Sequence, residues 1–325
     1  MEASMLAVLA LALLIDRVIG DPPELWARLP HPVVVFGKAI AFCDRNFNHA
    51  GASDAIQRRN GVIAIAALLC LSLLVGGMLE GIFAAFGSLG FILEVLVVAV
   101  LLAQKSLADH VGAVAAGLRA DGLEGGRRAV SLIVGRDPAT LDAPAICRAA
   151  IESLAENFAD GVVAPALWYA ILGLPGILAY KMLNTADSMI GHKNEKYRDF
   201  GWASARLDDL ANWPAARLSA FVIAFAALFS HGVVAARRSL SVALRDAGLH
   251  RSPNSGWPEA AMAGALDIQL TGPRIYGGQR VSEPMINGAG RAVATAADIE
   301  DGVRVFYSAC HVLLGLVVFL FAALV

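Results

Sequence analysis

Charge is scarce in this chain of 325 residues: Asp, Glu, Lys and Arg make up 17% of it, where soluble globular proteins average about 25%. With 57% hydrophobic residues, the shortage excludes an ordinary soluble enzyme and a disordered chain alike. Neither sign of charge dominates. Lys and Arg number 26, Asp and Glu 28, for a net charge of -2, which excludes a basic nucleic-acid binder. Cysteine is rare, and Cys43, Cys70, Cys147 and Cys310 show no Cys-x-x-Cys spacing. They read as free thiols, without a disulfide frame or a zinc site. His-x-x-His and His-Glu-x-x-His are missing too. So are Gly-x-x-x-x-Gly-Lys-Ser/Thr and Gly-x-Gly-x-x-Gly, so any nucleotide is bound without a P-loop or a Rossmann turn. No internal repeat and no low-complexity tract is visible.

What is present is apolar residues in runs, with a mean hydropathy of +0.62. A spanning helix needs about 20 mostly apolar residues. Gly61–Leu79, Ile82–Ala103, Leu218–Ala236 and Val305–Val325 have that length, and only Glu94 interrupts the second. Gly76-Gly77 and Glu80-Gly81 predict a turn that pairs the first two as a helical hairpin. Ala3–Ile15 is shorter and follows Glu2 rather than a basic start. It reads as a short or partly buried membrane helix, not a signal peptide. Gly161–Tyr180 has the length but carries Pro165, Gly173, Pro175 and Gly176. A broken helix is tolerated in a bilayer only where protein or water satisfies the freed backbone groups, so this segment either spans or re-enters.

The pattern predicts an all-α integral membrane protein with about 4–6 membrane helices. It forms a single membrane-embedded domain over 1–325 with helical polar loops on one side. Those loops run from about 16–60, 104–160, 181–212 and 237–304, and each holds five or more Lys/Arg. Positive charge marks the cytoplasmic side, so all four loops favour the cytoplasmic face of a bacterial inner membrane. Strict alternation of the spans would instead put the 181–212 or the 237–304 loop outside, and a re-entrant Gly161–Tyr180 would reconcile part of this.

The 104–160 loop ends in a helix that Asp142 caps, with Pro144 in its first turn. At 100° per residue Glu152, Glu156 and Asp160 share one stripe, with Ser153 and Asn157 beside them. Three carboxylates one turn apart repel one another. Two readings stand: a solvated acidic face, or a site for a hard cation such as Mg²⁺ or for a cationic substrate. The stripe runs into the Gly161 segment, where bare carboxylates are costly, and this favours the second.

In the 181–212 loop Asn184, Asp187, Ser188 and Gly191 recur at i, i+3, i+4 and i+7, so a polar face leaves the membrane helix. Lys193, Lys196, Arg198 and Arg206 suit phosphate oxygens, and Asp208, Asp209 and Asn212 follow. The mixture reads as a metal-and-phosphate site. A basic patch on anionic lipid would explain the cations but not the carboxylates. His192 is a candidate base or ligand, or a solvated loop histidine. In the 237–304 loop Ser252-Pro-Asn254-Ser255-Gly256-Trp257-Pro258-Glu259 opens a helix over Ala260–Leu270, a start that suits an anion. Gly272–Gly278, with Arg274 and Tyr276, predicts a small turn or hairpin. Asp16-Arg17 reads as an internal ion pair, and Asp21-Pro22 and His31-Pro32 as rigid turns.

Taken in order, several short strings resemble a known family. They are Asp16-Arg17-x-x-Gly20-Asp21-Pro22, His31-Pro32, Glu152-Ser-Leu-Ala-Glu156-Asn157-x-x-Asp160-Gly161, Asn184-Thr185-x-Asp187-Ser188-Met189-Ile190-Gly191 and Phe200-Gly201. After them come Ala205-Arg206-x-Asp208-Asp209-x-x-Asn212, Pro253-Asn254-Ser255-Gly256-x-Pro258-Glu259 and Tyr276-Gly277-Gly278. Together they resemble the adenosylcobinamide-phosphate synthases, the CobD/CbiB family of cobalamin biosynthesis, over nearly the whole chain.

The resemblance implies an integral membrane ligase of the late corrin pathway. It would join the free propionate carboxylate of adenosylcobyric acid to (R)-1-amino-2-propanol or its O-phosphate, consuming ATP with Mg²⁺. The product would be adenosylcobinamide or its phosphate. Association with other late corrin-pathway enzymes is a further implication. On that reading Glu152, Glu156, Asp187 and His192 are the catalytic candidates. Glu152, Glu156, Asp160, Asp208 and Asp209 are the metal candidates. Asn184, Ser188, Lys193, Arg198, Arg206, Asn254, Glu259 and Tyr276 would hold substrate and phosphates. The alternatives are a multi-pass transporter or a membrane anchor for corrinoid enzymes. A transporter predicts ionisable residues within several spans, yet only Glu94 lies well inside one.

Overall fold

Backbone groups in a bilayer find hydrogen-bond partners only within the chain, so apolar runs of this length fold as helices. The computed structural model describes residues 2–135, 137–272, 274–276, 279–281 and 283–325, without the side chains at 2, 23 and 274–281. In order the elements are α1 Glu2–Val18, α2 Pro23–Trp26, α3 Pro32–Phe47, α4 Asp54–Ala85, α5 Ser88–Val100 and α6 Gln104–Val130. Then follow α7 Ala143–Phe158, α8 Ala164–Ile190, α9 Trp202–Asp246 and α10 Gly256–Leu266. Four short strands come next, β1 Leu270–Thr271, β2 Arg274–Tyr276, β3 Gln279–Val281 and β4 Met285–Ile286, before α11 Ala296–Leu324.

The all-α membrane architecture holds. Five helical stretches are long and apolar enough to cross a membrane: Asp54–Ala85, Ser88–Val130, Ala143–Ile190, Trp202–Leu249 and Ala296–Leu324. The protein is therefore a multi-pass membrane protein. α1 falls just short in length, and its Val8, Leu9, Ala12 and Leu13 are buried while Leu11 and Leu14 stay exposed. It is the half-buried helix that its composition predicts.

The chain divides into two compact units: residues 1–103, 164–212 and 317–325, and residues 104–163 and 213–316. In the first, α4 packs along α8, α1 packs on α5 and α8, and α3 packs on α4 and α8. The hairpin between α4 and α5 does not turn where the glycines predict. α4 runs unbroken through Gly76, Gly77 and Gly81, and the chain reverses at Phe86-Gly87, where Gly87 takes φ +55°. Gly76 serves a close helix approach instead. A Cβ there would lie 2.4 Å from Pro175 Cα and 2.6 Å from Pro175 N. α8 is itself broken at Gly173, φ +65°, just before Pro175. The single carboxylate inside α5, Glu94, accepts a 2.6 Å hydrogen bond from the hydroxyl of buried Tyr169.

In the second unit α6 packs on α7, and α7 packs on α10. Asp142 caps α7 as predicted: its Oδ1 accepts the Ala145 N–H at 2.8 Å. α10 ends earlier than its apolar composition predicts. Asp267 takes a left-handed conformation at φ +57° after Leu266, and the chain turns into β1. β1 pairs antiparallel with β4, Leu270 opposite Ile286, and β2 pairs antiparallel with β3. The hairpin expected over 272–278 is thus formed by β2 and β3, while residues 273, 277 and 278 lie outside the described residues.

Candidate functional site

Three glutamates of the second unit, on α7 and α10, share a hydrogen-bonded network. Glu152 is 4% exposed, and its Oε1 accepts the backbone N–H of Thr271 at 2.8 Å. The Thr271 hydroxyl donates to Glu259 Oε2 at 3.2 Å, and Glu259 is 2% exposed. Thr271 therefore ties a carboxylate of α7 to one of α10. It does so at φ +64°, a conformation that is unfavourable for a β-branched residue. Glu156, one turn after Glu152, accepts the Ser255 hydroxyl at 2.7 Å.

The Ser252–Glu259 segment wraps this network. Ser252 Oγ accepts the backbone N–H groups of Asn254 and Ser255. The Ser252 N–H donates to His250 Nδ1 at 3.0 Å, which leaves the ring proton of neutral His250 on Nε2. That nitrogen lies 3.7 Å from Glu259 Oε1, with both side chains buried. Asn254 Oδ1 accepts from Arg217 Nη1 at 3.1 Å. The Arg217 guanidinium lies 4.3 Å from the Trp213 ring centroid and 5.0 Å from that of Trp257. A planar cation between two indoles is a favourable arrangement.

Asp160 does not extend the Glu152–Glu156 stripe into a metal triad. Among the described residues no three His, Cys, Asp or Glu side chains gather as a metal-binding group. The reason is local. A π-helical turn over Ala159–Val163 interrupts the α-helix, and the spacing that aligns i, i+4 and i+8 holds only in a continuous α-helix. Glu152 and Glu156 also point to separate partners, Thr271 and Ser255.

The first unit holds a second polar cluster, on α8 and the start of α9. Asp208 is 8% exposed. Its carboxylate accepts from Asn212 Nδ2 at 3.0 Å and from Asn184 Nδ2 at 3.4 Å. Asn212 in turn accepts the Tyr180 hydroxyl at 2.8 Å. Asp187 and Ser188 lie on the last turns of α8, and the Ser188 hydroxyl donates to the Asn184 carbonyl. A Cβ on Gly191 would fall 1.9 Å from Asp187 Oδ1 and 2.7 Å from the Asp187 carbonyl oxygen, so the absent side chain leaves room for the carboxylate. Asp209 is half-buried beside Asp208, while His192, Lys193 and Arg206 are exposed.

Arg198 is engaged by two carboxylates, Asp199 at 3.1 Å and Asp54 at 3.3 Å. Lys196 bonds Asp44 at 2.8 Å. Burial alone would raise the Asp44 pKa, but hydrogen bonds from Lys196, Asn48 and Tyr197 outweigh it and hold the carboxyl below its ordinary value. The Tyr276 side chain lies outside the described residues. Sequence reasoning missed His250, Thr271 and Arg217 as members of these clusters. His250 stands two residues before the Ser252 string, a signal that was available. Thr271 carried none.

Against known proteins, the model of the family described as CobD/Cbib protein matches residues 9–306. The chain is 68% identical to a cobalamin biosynthesis protein CobD of a Sinorhizobium species, over 98% of each chain. It is 65% identical to that of Rhizobium meliloti and 54% identical to that of Brucella suis, each over 96% of both chains. No solved structure matches it.

Proposed function

Because this chain belongs to the CobD/CbiB family of cobalamin biosynthesis, we propose that it is the amide-forming ligase of adenosylcobinamide phosphate synthesis. On this reading it joins the free propionate carboxylate of adenosylcobyric acid to the amine of (R)-1-amino-2-propanol or its O-phosphate. The observation that carries the reading is the Glu152, Glu156 and Glu259 network around Thr271 and Ser255. An amine reaches neutral solution as an ammonium ion. Carboxylates attract that cation, and one of them takes its proton before the nitrogen attacks. Arg217, fixed by Asn254 and two indoles, adds a cation for the substrate's anionic groups.

ATP with Mg²⁺, when bound, supplies the activation of the propionate as an acyl phosphate. The nitrogen attacks the carbonyl carbon, and phosphate leaves with the former carboxylate oxygen. Acid, amine and ATP thus become amide, ADP and phosphate. The donor set fits Mg²⁺, a hard ion that is commonly held by one or two carboxylates together with substrate phosphates rather than by a protein cage. Glu152 or Glu156 would hold it, as one carboxylate beside the substrate phosphates. The basic loops favour the cytoplasmic side of the cell membrane for the reaction, where ATP is available.

The test is direct. Purified protein in detergent, given cobyric acid, aminopropanol phosphate, ATP and Mg²⁺, is expected to release a product of the amide's mass, with one ADP formed per amide. Catalytically incompetent protein under those conditions, or amide formed without ATP consumption, would overturn the ligase reading.

A further inference from the structure

A cavity of about 580 Å³ in the first unit shares no lining residue with either polar cluster and is formed by α4, Asp199 and the start of α9. Its α4 wall is one helical stripe. Ala55, Arg58, Arg59, Val62 and Ile63 line it at the i, i+3, i+4, i+7 and i+8 spacing of one face. The stripe changes character along the helix. Arg58 and Arg59 are exposed. Gly61 then opens a charge-free run to Leu79, and Val62 and Ile63 are 41% and 59% exposed. From Arg58 to Ile63 is only about 7.5 Å of helix rise.

Opposite stands Trp202, its ring 3.8 Å below the Arg58 guanidinium. Trp is the residue that favours the boundary between headgroups and acyl chains. The two carboxylates at the cavity, Asp54 and Asp199, are both bonded by Arg198. Among the described residues neither Arg58 nor Arg59 pairs with a carboxylate. The cavity therefore offers two cations at the level where a membrane-crossing run begins, above an exposed apolar floor.

We infer that this cavity binds an anionic phospholipid, its phosphate held by Arg58 and Arg59 and an acyl chain lying along Val62 and Ile63. A free phosphate or a phosphorylated amine would use the guanidinium groups but leave the exposed apolar stripe bare. A zwitterionic lipid would use the stripe but bring its own cation against the arginines. Only an anionic amphiphile matches both halves.

The test uses the whole protein in mixed micelles holding equal amounts of phosphatidylglycerol and phosphatidylcholine, read by native mass spectrometry. Wild type is expected to retain phosphatidylglycerol preferentially, at about fivefold for each arginine near the surface. The double variant Arg58→Gln, Arg59→Gln is expected to retain the two lipids equally while keeping the wild-type melting temperature in phosphatidylcholine micelles. A second measurement needs no variant. The preference of wild type should fall as sodium chloride rises towards 1 M, because screening acts on the phosphate contact alone. Equal retention of both lipids by wild type would overturn the inference. So would displacement of phosphatidylglycerol by 10 mM inorganic phosphate at matched ionic strength (a concentration of about that order suffices for a soluble phosphate site), which would reassign the cavity to a soluble ligand.

Discussion

Replacing Glu152 separates its structural work from its chemistry. The carboxylate is buried and accepts the Thr271 N–H at 2.8 Å. Glu152→Ala removes the acceptor and leaves a buried N–H unpaired, a loss of about 2–3 kcal/mol for a hydrogen bond to a charged group. Thr271, held at φ +64°, also loses one of its two bonds to carboxylates. Glu152→Gln keeps an oxygen in the same place. Its stability loss is only the difference between a charged and a neutral acceptor, about 1 kcal/mol. The two variants should therefore melt at distinct temperatures in detergent, Ala well below Gln. In the amide-forming assay both should lose activity by about 10²–10⁴-fold, the span of a positioned acid or base. Wild-type activity in Glu152→Gln would refute a chemical role for the carboxylate. Equal melting temperatures for Ala and Gln would refute the hydrogen-bond accounting.

Two further outcomes follow from packing and charge. Gly76→Val should destabilise the protein by about 1–3 kcal/mol through overpacking, because its Cβ would meet Pro175 backbone that has no room to yield. Gly77→Ala, where nothing lies within 4 Å, should instead leave the melting temperature unchanged or raise it, since Ala favours a helix by about 1 kcal/mol over Gly. Lys196→Met removes a partner that holds the Asp44 pKa down. A depressed carboxylate contributes stability above its unfolded pKa and loses it as pH falls through the folded value. The variant should therefore be less stable than wild type at pH 7, by about 1 kcal/mol at most for so exposed a lysine. Melting curves taken at successively lower pH should begin to converge near pH 4, about the unfolded carboxyl value, and meet only below the lower folded value.

The parts of the fold that were legible in the sequence are those set by local chemistry. Asp142 and Pro144 mark the start of α7 because a cap and its N–H partner lie within one turn. The four long apolar runs become helices because a bilayer leaves the backbone no other solution. The glycines at 76–81 do not make the turn that they predict, for a physical reason. A glycine marks a turn only where the backbone takes positive φ, as at Gly87. It equally marks a site where another backbone approaches, as Pro175 approaches Gly76. Composition does not distinguish the two, because the deciding neighbour is a hundred residues away in the chain.

The same distance limit governs the site. Glu152 and Glu156 stood out as a pair one helical turn apart, and that spacing survives. Their partners did not stand out. Thr271 lies 119 residues beyond Glu152, and Ser255 lies 99 beyond Glu156. The expected third member, Asp160, lies in a π-helical turn, where the spacing of a continuous α-helix does not hold, and nothing in Ala159–Val163 announces that turn. Thr271 is the most informative residue that was missed. A β-branched side chain at positive φ costs about 1–3 kcal/mol of local strain, and such strain persists only where surrounding bonds over-determine it. Here the bonds that do so end on two buried carboxylates. Thr271→Gly should relax the backbone and keep the N–H to Glu152, while freeing Glu259 from its hydroxyl. If Thr271 serves only the fold, relief of strain should leave activity intact. If it sets the spacing of Glu152 and Glu259 for the reacting amine, turnover should fall even though the protein melts no lower. A fall in both together would place the network in the scaffold and not in the chemistry.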